Sequence, residues 1–330
     1  MDVAVIGAGA IGGTIAALLH RAGHRVEVTA RGAHLDAIRR GGIRLSGAWG
    51  EHTAAVDAGI RLSRSPELAV LATKAMDAPA AATGNASALD GVPLVVAQNG
   101  LGGLEAVAAV APRSPLIGAL SLIAASLVDP GTIVVTTAAA TWLGMADPAA
   151  PQGPARFAAG VLGDAIPCEV VAGFEGARWT KLIINQVNAL PAITGMSVQE
   201  VIENAELRAI MTRSMQEAAR VGLARGVHFE EVNQVTHDAL VALAGSPLPA
   251  AEFLALQLRG YLGDVPNPGS TLQSIRRGQA SEIDYLNGAI VTAATALGMD
   301  APVNARLVEL VHDVERSGRF LTIDAVLARF

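Results

Sequence analysis

Cysteine, charge and aromatic rings are all scarce in this chain of 330 residues. Its one cysteine, Cys168, cannot form an internal disulfide, so nothing in the sequence requires an oxidising compartment. Charged residues make up only 16% and aromatic residues 3%. Basic residues are outnumbered, 24 Lys and Arg against 30 Asp and Glu, and the net charge of -6 argues against a nucleic-acid partner. Long unbroken apolar runs are missing too. Residues 2–19 carry Asp2 at their head, no positive segment before the apolar run, and the glycines of GAGAIGG within it. Residues 116–145 are interrupted by the turn signal Asp129-Pro130-Gly131. Neither stretch reads as a signal peptide or a membrane span, and the expectation is a cytoplasmic protein with no membrane partner. Metal and hydrolase signatures are lacking as well. His20 and His24 have no evident third ligand, and there is no G-x-S-x-G or H-E-x-x-H, so no metal site is expected.

Apolar residues are plentiful, at 51%, and much of this is alanine. A chain of this length and composition has enough material for two packed cores. The first half alternates short apolar runs with helical patterns, which predicts a parallel sheet flanked by helices. Strands are expected at 3–6, 25–29, 68–72, 93–97, 116–124 and 132–137, with a short edge strand at 168–171. From Arg178 the pattern changes to amphipathic helices, roughly 178–194, 200–226, 230–244, 249–258, 270–277, 281–297 and 302–316. The expected fold class is therefore α/β, an N-terminal Rossmann-type doubly wound sheet with an all-helical C-terminal domain. The expected domains are 1–175 for the nucleotide and 176–330 for substrate and catalysis.

Gly7-Ala8-Gly9-Ala10-Ile11-Gly12 is a G-x-G-x-x-G directly after a strand and directly before a helix. The first glycine allows the tight turn, the second lets a pyrophosphate approach the backbone, and the third lets the helix pack on the sheet. The helix N-terminus, around Gly9, Ala10, Ile11 and Gly12, offers N–H groups and partial positive charge. A dinucleotide is the expected ligand. At the end of the second strand an NAD site usually places a carboxylate, but this chain reads Thr29-Ala30-Arg31. Glu27 lies inside the strand, and Arg31 is placed to pair with a 2′-phosphate, which favours NADP(H). His34, Arg39 and Arg40 lie nearby in sequence.

Five separated motifs complete the pattern: GAGAIGG at 7–13, TKAMD at 73–77, AQNGLGG at 97–103, RWTKLIINQVNAL at 178–190 and STLQSIRRGQASEIDYLNG at 270–288. In this order and spacing the chain resembles the ketopantoate reductase (2-dehydropantoate 2-reductase) family over nearly its whole length. The resemblance implies NADPH-dependent reduction of a 2-oxo acid to a 2-hydroxy acid, a step of pantothenate biosynthesis, in a cleft between two domains. It implies Lys181 as the catalytic lysine, with Glu282 in the catalytic set. Asn99, Asn185 and Ser270 become substrate-binding residues, and Lys74 and Asn99 stand near the nicotinamide side of the cofactor. Two positions depart from the family pattern, Ala189 in place of a second asparagine and Ser274 in place of an aspartate, and they bear on which oxo acid is used.

The chemistry can be read from the residues as well. A carbonyl reduced by hydride leaves charge on its oxygen, which needs a proton donor. Lys181 sits in an otherwise apolar helical stretch, where a lysine is rare unless it has a task. Asn185, four residues on, shares its helix face. Ser270 also stands where a helix N-cap is expected, and Ser281 to Asp284 fits a capping pattern with Glu282 in the first turn. Two other readings keep the fold: a reductase of another oxo acid or an imine, and a non-catalytic NADP-sensing protein. The helices of the second half offer surface for a homodimer, an assembly the sequence leaves open.

Overall fold

The structure, a computed structural model, describes residues 1–263 and 265–330. The described chain divides into two compact units, Met1–Gln98 with Gly102–Phe174, and Asn99–Leu101 with Glu175–Phe330.

The first unit contains twelve strands: β1 (Asp2–Ile6), β2 (Arg25–Thr29), β3 (Ile43–Gly47), β4 (His52–Ala54), β5 (Asp57–Gly59), β6 (Leu68–Leu71), β7 (Leu94–Ala97), β8 (Leu116–Ser121), β9 (Ala124–Asp129), β10 (Thr132–Thr137), β11 (Thr141–Met145) and β12 (Cys168–Val170). Its helices are α1 (Ala10–Arg21), α2 (Gly32–Gly41), α3 (Ala78–Gly84), α4 (Ala86–Leu89), α5 (Gly103–Val110) and α6 (Gly153–Gly163). Eight strands form one sheet in the order β12-β11-β8-β7-β6-β1-β2-β5, parallel except for the β8–β11 pair. The run β5-β2-β1-β6-β7-β8 is the doubly wound order, with its reversal between β1 and β6. Strands β1 and β6 are buried along nearly their whole length, as a sheet covered on both faces demands.

The expected strands are present, but the segment between residues 43 and 59 holds three that the sequence reading passed over. Strands β3 and β4 join β9 and β10 in a second sheet of order β4-β3-β10-β9. This sheet packs on α1, whose side chains therefore meet apolar neighbours on two sides. Ile15, Leu18 and Leu19 are at most 2% exposed, and burying each such side chain stabilises the unit by roughly 1.5–3 kcal/mol. The Asp129-Pro130-Gly131 turn, with Gly131 at φ +77°, joins β10 to β9 and not to the expected 116–124 strand, which ends at Ser121 in the other sheet; β9 and β11 were also passed over.

The second unit is helical: α7 (Phe174–Ile184, its first residue in the other unit), α8 (Ala189–Thr194), α9 (Val198–Glu203), α10 (Ala205–Ala224), α11 (His237–Gly245), α12 (Leu248–Ala251), α13 (Phe253–Tyr261), α14 (Gly269–Arg276), α15 (Asn287–Ala296), α16 (Pro302–Ser317) and α17 (Ile323–Leu327). Several expected helices are broken by local capping. Residues 178–194 contain a 3-10 turn, Asn185–Asn188, between α7 and α8. Residues 200–226 divide at Asn204, whose side chain accepts from the N–H groups of Glu206 and Leu207 and so starts α10. Residues 230–235 are not helical, because Asn233 and Gln234 adopt positive φ in a tight turn, and Thr236 caps α11 instead.

Candidate active site

Nucleotide-binding features gather in the first unit, at the carboxyl ends of β1, β2 and β6, where Ile6 stands level with Thr29 and Leu71. Gly7 leaves β1 at φ +93°, with its N–H donated to Thr29 Oγ1 at 3.0 Å. The next N–H, of Ala8, goes to the Thr29 carbonyl at 2.9 Å. A side chain on Gly7 would meet Thr73, and one on Gly12 would strike the Gly7 carbonyl. A Cβ on Gly9 would meet nothing within 4 Å. Two glycines are thus required by packing, while the third faces open space, which is what a pyrophosphate needs. The first helical bond of α1 runs from Gly13 N–H to the Gly9 carbonyl. The N–H groups of Ala10, Ile11 and Gly12 precede it and have no intrahelical partner. No acidic residue occupies that first turn.

Within β2, the Glu27 carboxylate is already committed. It accepts the Ser63 N–H at 2.7 Å, lies 3.8 Å from Arg64, and is 5% exposed, so a ribose has no access to it. Arg31 is exposed in the extended residue before α2, and no described residue pairs with its guanidinium. These residues are compatible with a bound dinucleotide. Lys74 stands half-buried just past β6, before a short 3-10 turn. Beside it, Thr73 Oγ1 is buried without a hydrogen bond, a polar atom next to Gly7 that the sequence did not single out.

His34 was read only as basic company for Arg31, and its role is different. Its Nδ1 accepts the Gly131 N–H at 2.9 Å, so its Nε2 carries the proton and donates to the Ala8 carbonyl at 2.6 Å. A neutral imidazole therefore ties the glycine loop to the β9–β10 turn. Nothing in the spacing 8, 34, 131 could have indicated this.

The expected substrate residues all fall in the second unit. Asn99 belongs there although it follows β7, because the Leu101 N–H bonds the Tyr285 carbonyl at 3.0 Å. Gly100, at φ +78°, packs against that same carbonyl so closely that no side chain would fit. The Asn99-Gly100 turn is thus fastened three residues past Glu282.

Lys181 is 5% exposed on α7, among Leu182, Ile183 and Ile184. Burial pushes its amine down to about 8, against the opposing pull of the Glu282 carboxylate. Asn185 opens the 3-10 turn that follows, and its Nδ2 is buried with no acceptor. A buried amide donor without a partner costs free energy unless a ligand supplies the acceptor.

Two expected caps are corrected. Helix α14 begins at Gly269 after Pro268, so Ser270 lies within its first turn, and its N–H is taken by Asn188 Oδ1 at 3.2 Å. Its side chain is exposed. Glu282 is not in a helical first turn. It precedes the 3-10 turn Ile283–Tyr285, and Ser281 Oγ accepts from the Ile283 N–H at 3.3 Å instead of capping a helix. Asn188, the neighbour of the departing Ala189, joins the Asn185 turn to α14. Its Nδ2 donates to the Asn185 carbonyl at 3.0 Å, while its Oδ1 holds Ser270. Among the described residues no three His, Cys, Asp or Glu side chains form a metal cluster. No described helix is long and apolar enough to cross a membrane.

Likeness to known proteins extends over nearly the whole chain. Residues 3–148 match the family described as ketopantoate reductase PanE/ApbA, and residues 173–315 match its C-terminal part. The 2-dehydropantoate 2-reductase of Archaeoglobus fulgidus is 29% identical over 318 residues, covering 95% of this chain and 97% of that protein. The crystal structure of a PanE/ApbA family ketopantoate reductase from Ralstonia eutropha JMP134 superposes with a TM-score of 0.82 at 28% identity, covering 96% of this chain and 99% of that one. D-mandelate dehydrogenase, in a ternary structure with NADH and anilino(oxo)acetate, gives a TM-score of 0.81 over 96% and 99% of the two chains. At 20% identity this likeness shows the fold alone.

Proposed function

The chain belongs to the ketopantoate reductase family, and we propose that it reduces a 2-oxo acid, ketopantoate or a close analogue, with NADPH as the reductant and Lys181 as the general acid. The observation that carries this reading is the buried Lys181 amine, held near 8, one helical turn from an unsatisfied Asn185 amide.

Bound NADPH supplies the hydride. As the keto oxygen gains electron density, Lys181 gives it a proton, so the product leaves as the neutral alcohol of a 2-hydroxy acid. An amine near 8 is mostly protonated at pH 7 and is still acidic enough to transfer its proton readily. Glu282 keeps the ammonium from losing its proton to burial alone. The Asn185 Nδ2 donates to the acid, with Asn99 and Ser270 as further polar contacts. Arg31 and the N–H groups at the start of α1 would hold the cofactor, with Lys74 as a further cationic contact. The protein would act in the cytoplasm on a small diffusible substrate.

The test is NADPH consumption with ketopantoate, with NADH run in parallel and the Lys181→Ala variant beside the wild type. The reading expects turnover with NADPH that Lys181→Ala abolishes while nucleotide affinity survives. Equal loss of both would count against it. Ala189, fully buried at a position where the family resemblance implies an asparagine, favours a second reading in which another oxo acid is the substrate. A panel of 2-oxo acids differing in bulk would separate the two.

A further inference from the structure

Adjoining Asn185 is a buried chain of amides with no part in the reaction as described. Gln186, Asn287 and Asn304 are each 0% exposed. Asn287 donates both its amide hydrogens, to Gln186 Oε1 at 2.7 Å and to Asn304 Oδ1 at 3.0 Å. Gln186 donates in turn to the carbonyl of Leu182, the residue after Lys181, at 2.9 Å. Asn304 donates to the Ser214 carbonyl at 3.1 Å and to Glu217 Oε2 at 2.8 Å. Glu217 also receives the N–H groups of Val303 and Asn304 at the start of α16, each at 2.9 Å.

The arrangement has a direction. Gln186 belongs to the segment that carries Lys181 and Asn185. Asn287 opens α15, five residues after Glu282. The bond between them is a direct side-chain tie between the two segments whose charges must meet. Leucines of similar volume would fill this space without the cost of burying amides. The network is not even complete, since Asn287 Oδ1 is buried and unpaired. Stability is therefore a poor explanation for it, and orientation is a better one.

We propose that Asn287 is a positioning residue, which by tying Gln186 to the Glu282 segment fixes the Glu282 carboxylate against the Lys181 ammonium. The inference rests on the reading of Lys181 as proton donor. The charged groups around these elements are Glu282 facing Lys181, Glu217 on α10 at the end of the amide chain, and Glu315 with His312 on α16, which hold Ser281 N–H and Asp284.

The experiment compares wild type, Asn287→Ala and Gln186→Leu, the last removing the tie and the bond to the Leu182 carbonyl while leaving Asn304 on Glu217. Each is assayed for NADPH oxidation with ketopantoate across pH 6–10, for NADPH binding by nucleotide fluorescence, and for melting temperature. Loosening Glu282 removes the charge that raises the Lys181 amine, so the alkaline limb of kcat should move toward lower pH by about half a unit or more. We expect kcat at pH 7 to fall by about tenfold, with NADPH affinity within about twofold of wild type. A folded Gln186→Leu or Asn287→Ala protein with the wild-type limb and kcat overturns the proposal, even if its melting point has dropped. If Asn287→Ala does not fold, Gln186→Leu decides alone. Lys181→Ala, run alongside, separates the two claims: turnover at the wild-type rate in that variant removes the proton-donor reading, and this inference with it.

Discussion

Replacing Lys181 by methionine removes a charge but keeps an unbranched side chain that can fill the same apolar space. Burial lowers the lysine from its usual 10.5 to about 8, a difference of 2.5 units, or roughly 3 kcal/mol at about 1.4 kcal/mol per unit. The sign follows from proton counting. Between pH 8 and 10.5 the unfolded chain holds a proton on this lysine that the folded chain has released, so wild-type stability gains from rising pH in that window. Below pH 8 the folded protein carries the full penalty, and the methionine variant does not. Lys181→Met is therefore expected to be the more stable protein at pH 7, and the gap should narrow by about 3 kcal/mol as pH rises to 10.5. Other titrating groups affect both proteins alike, so comparing the two melting curves at pH 7 and at pH 10.5 isolates this lysine. For a unit of this size the narrowing corresponds to roughly 5–10 °C. A gap that stays constant with pH would refute the reasoning, because it would mean the amine is not held in a desolvated site. The same variant should be inactive, so its added stability would mark the lysine as retained for chemistry.

The remaining predictions concern the reaction and the nucleotide. Because the proton donor must be charged, kcat should fall as pH rises through about 8, which a pH profile at saturating substrate would show. Gly9→Ala and Gly12→Ala should part company. The first adds a methyl to open space and should weaken NADPH binding by more than about tenfold with little change in melting point. The second strikes the Gly7 carbonyl and should destabilise the fold itself by about 1–3 kcal/mol. Arg31→Ala should raise the KM for NADPH by about 10–100-fold, the worth of a charged hydrogen bond, and leave the KM for NADH unchanged. Equal effects on the two nucleotides would remove the 2′-phosphate role.

The glycine loop was legible because its information is local. Strand, turn and helix fall within twenty residues, and each glycine answers a backbone requirement that spacing alone expresses. The helical half was harder. Most of its helices are short; they start on side-chain caps such as Asn204 or are parted by turns with non-glycine residues at positive φ, such as Asn233 and Gln234, which a hydrophobic period runs straight through. Strands β3 to β5 were missed for a related reason. They are three to five residues long, and charged residues such as Arg44 and Asp57 break their apolar pattern. Ser270 was misplaced as a cap by two positions because a Pro-Gly pair suggests a cap just after it, whereas the helix starts at the glycine and Pro268 is its N-cap.

The substrate residues pose a different problem. Apart from Lys181 and Asn185, which share one helix face, Asn99, Ser270 and Glu282 are far apart in the chain and no local rule groups them; the ties that do so are backbone and amide bonds, from Leu101 to Tyr285, Ser270 to Asn188 and Asn287 to Gln186. Apart from the bond from the Ser270 N–H, each tie ends on a residue near a proposed functional one, not on the functional residue itself. That leaves the Asn185 amide without a partner and the Lys181 amine in an apolar setting. The unpaired Asn185 amide and the burial of the Lys181 amine each cost free energy, and a fold optimised only for stability would avoid both. An outside molecule that accepts from the amide and takes the proton accounts for them. A 2-oxo acid fits that requirement, because its carboxylate offers the acceptor that Asn185 lacks and its keto oxygen takes the proton that Lys181 holds loosely.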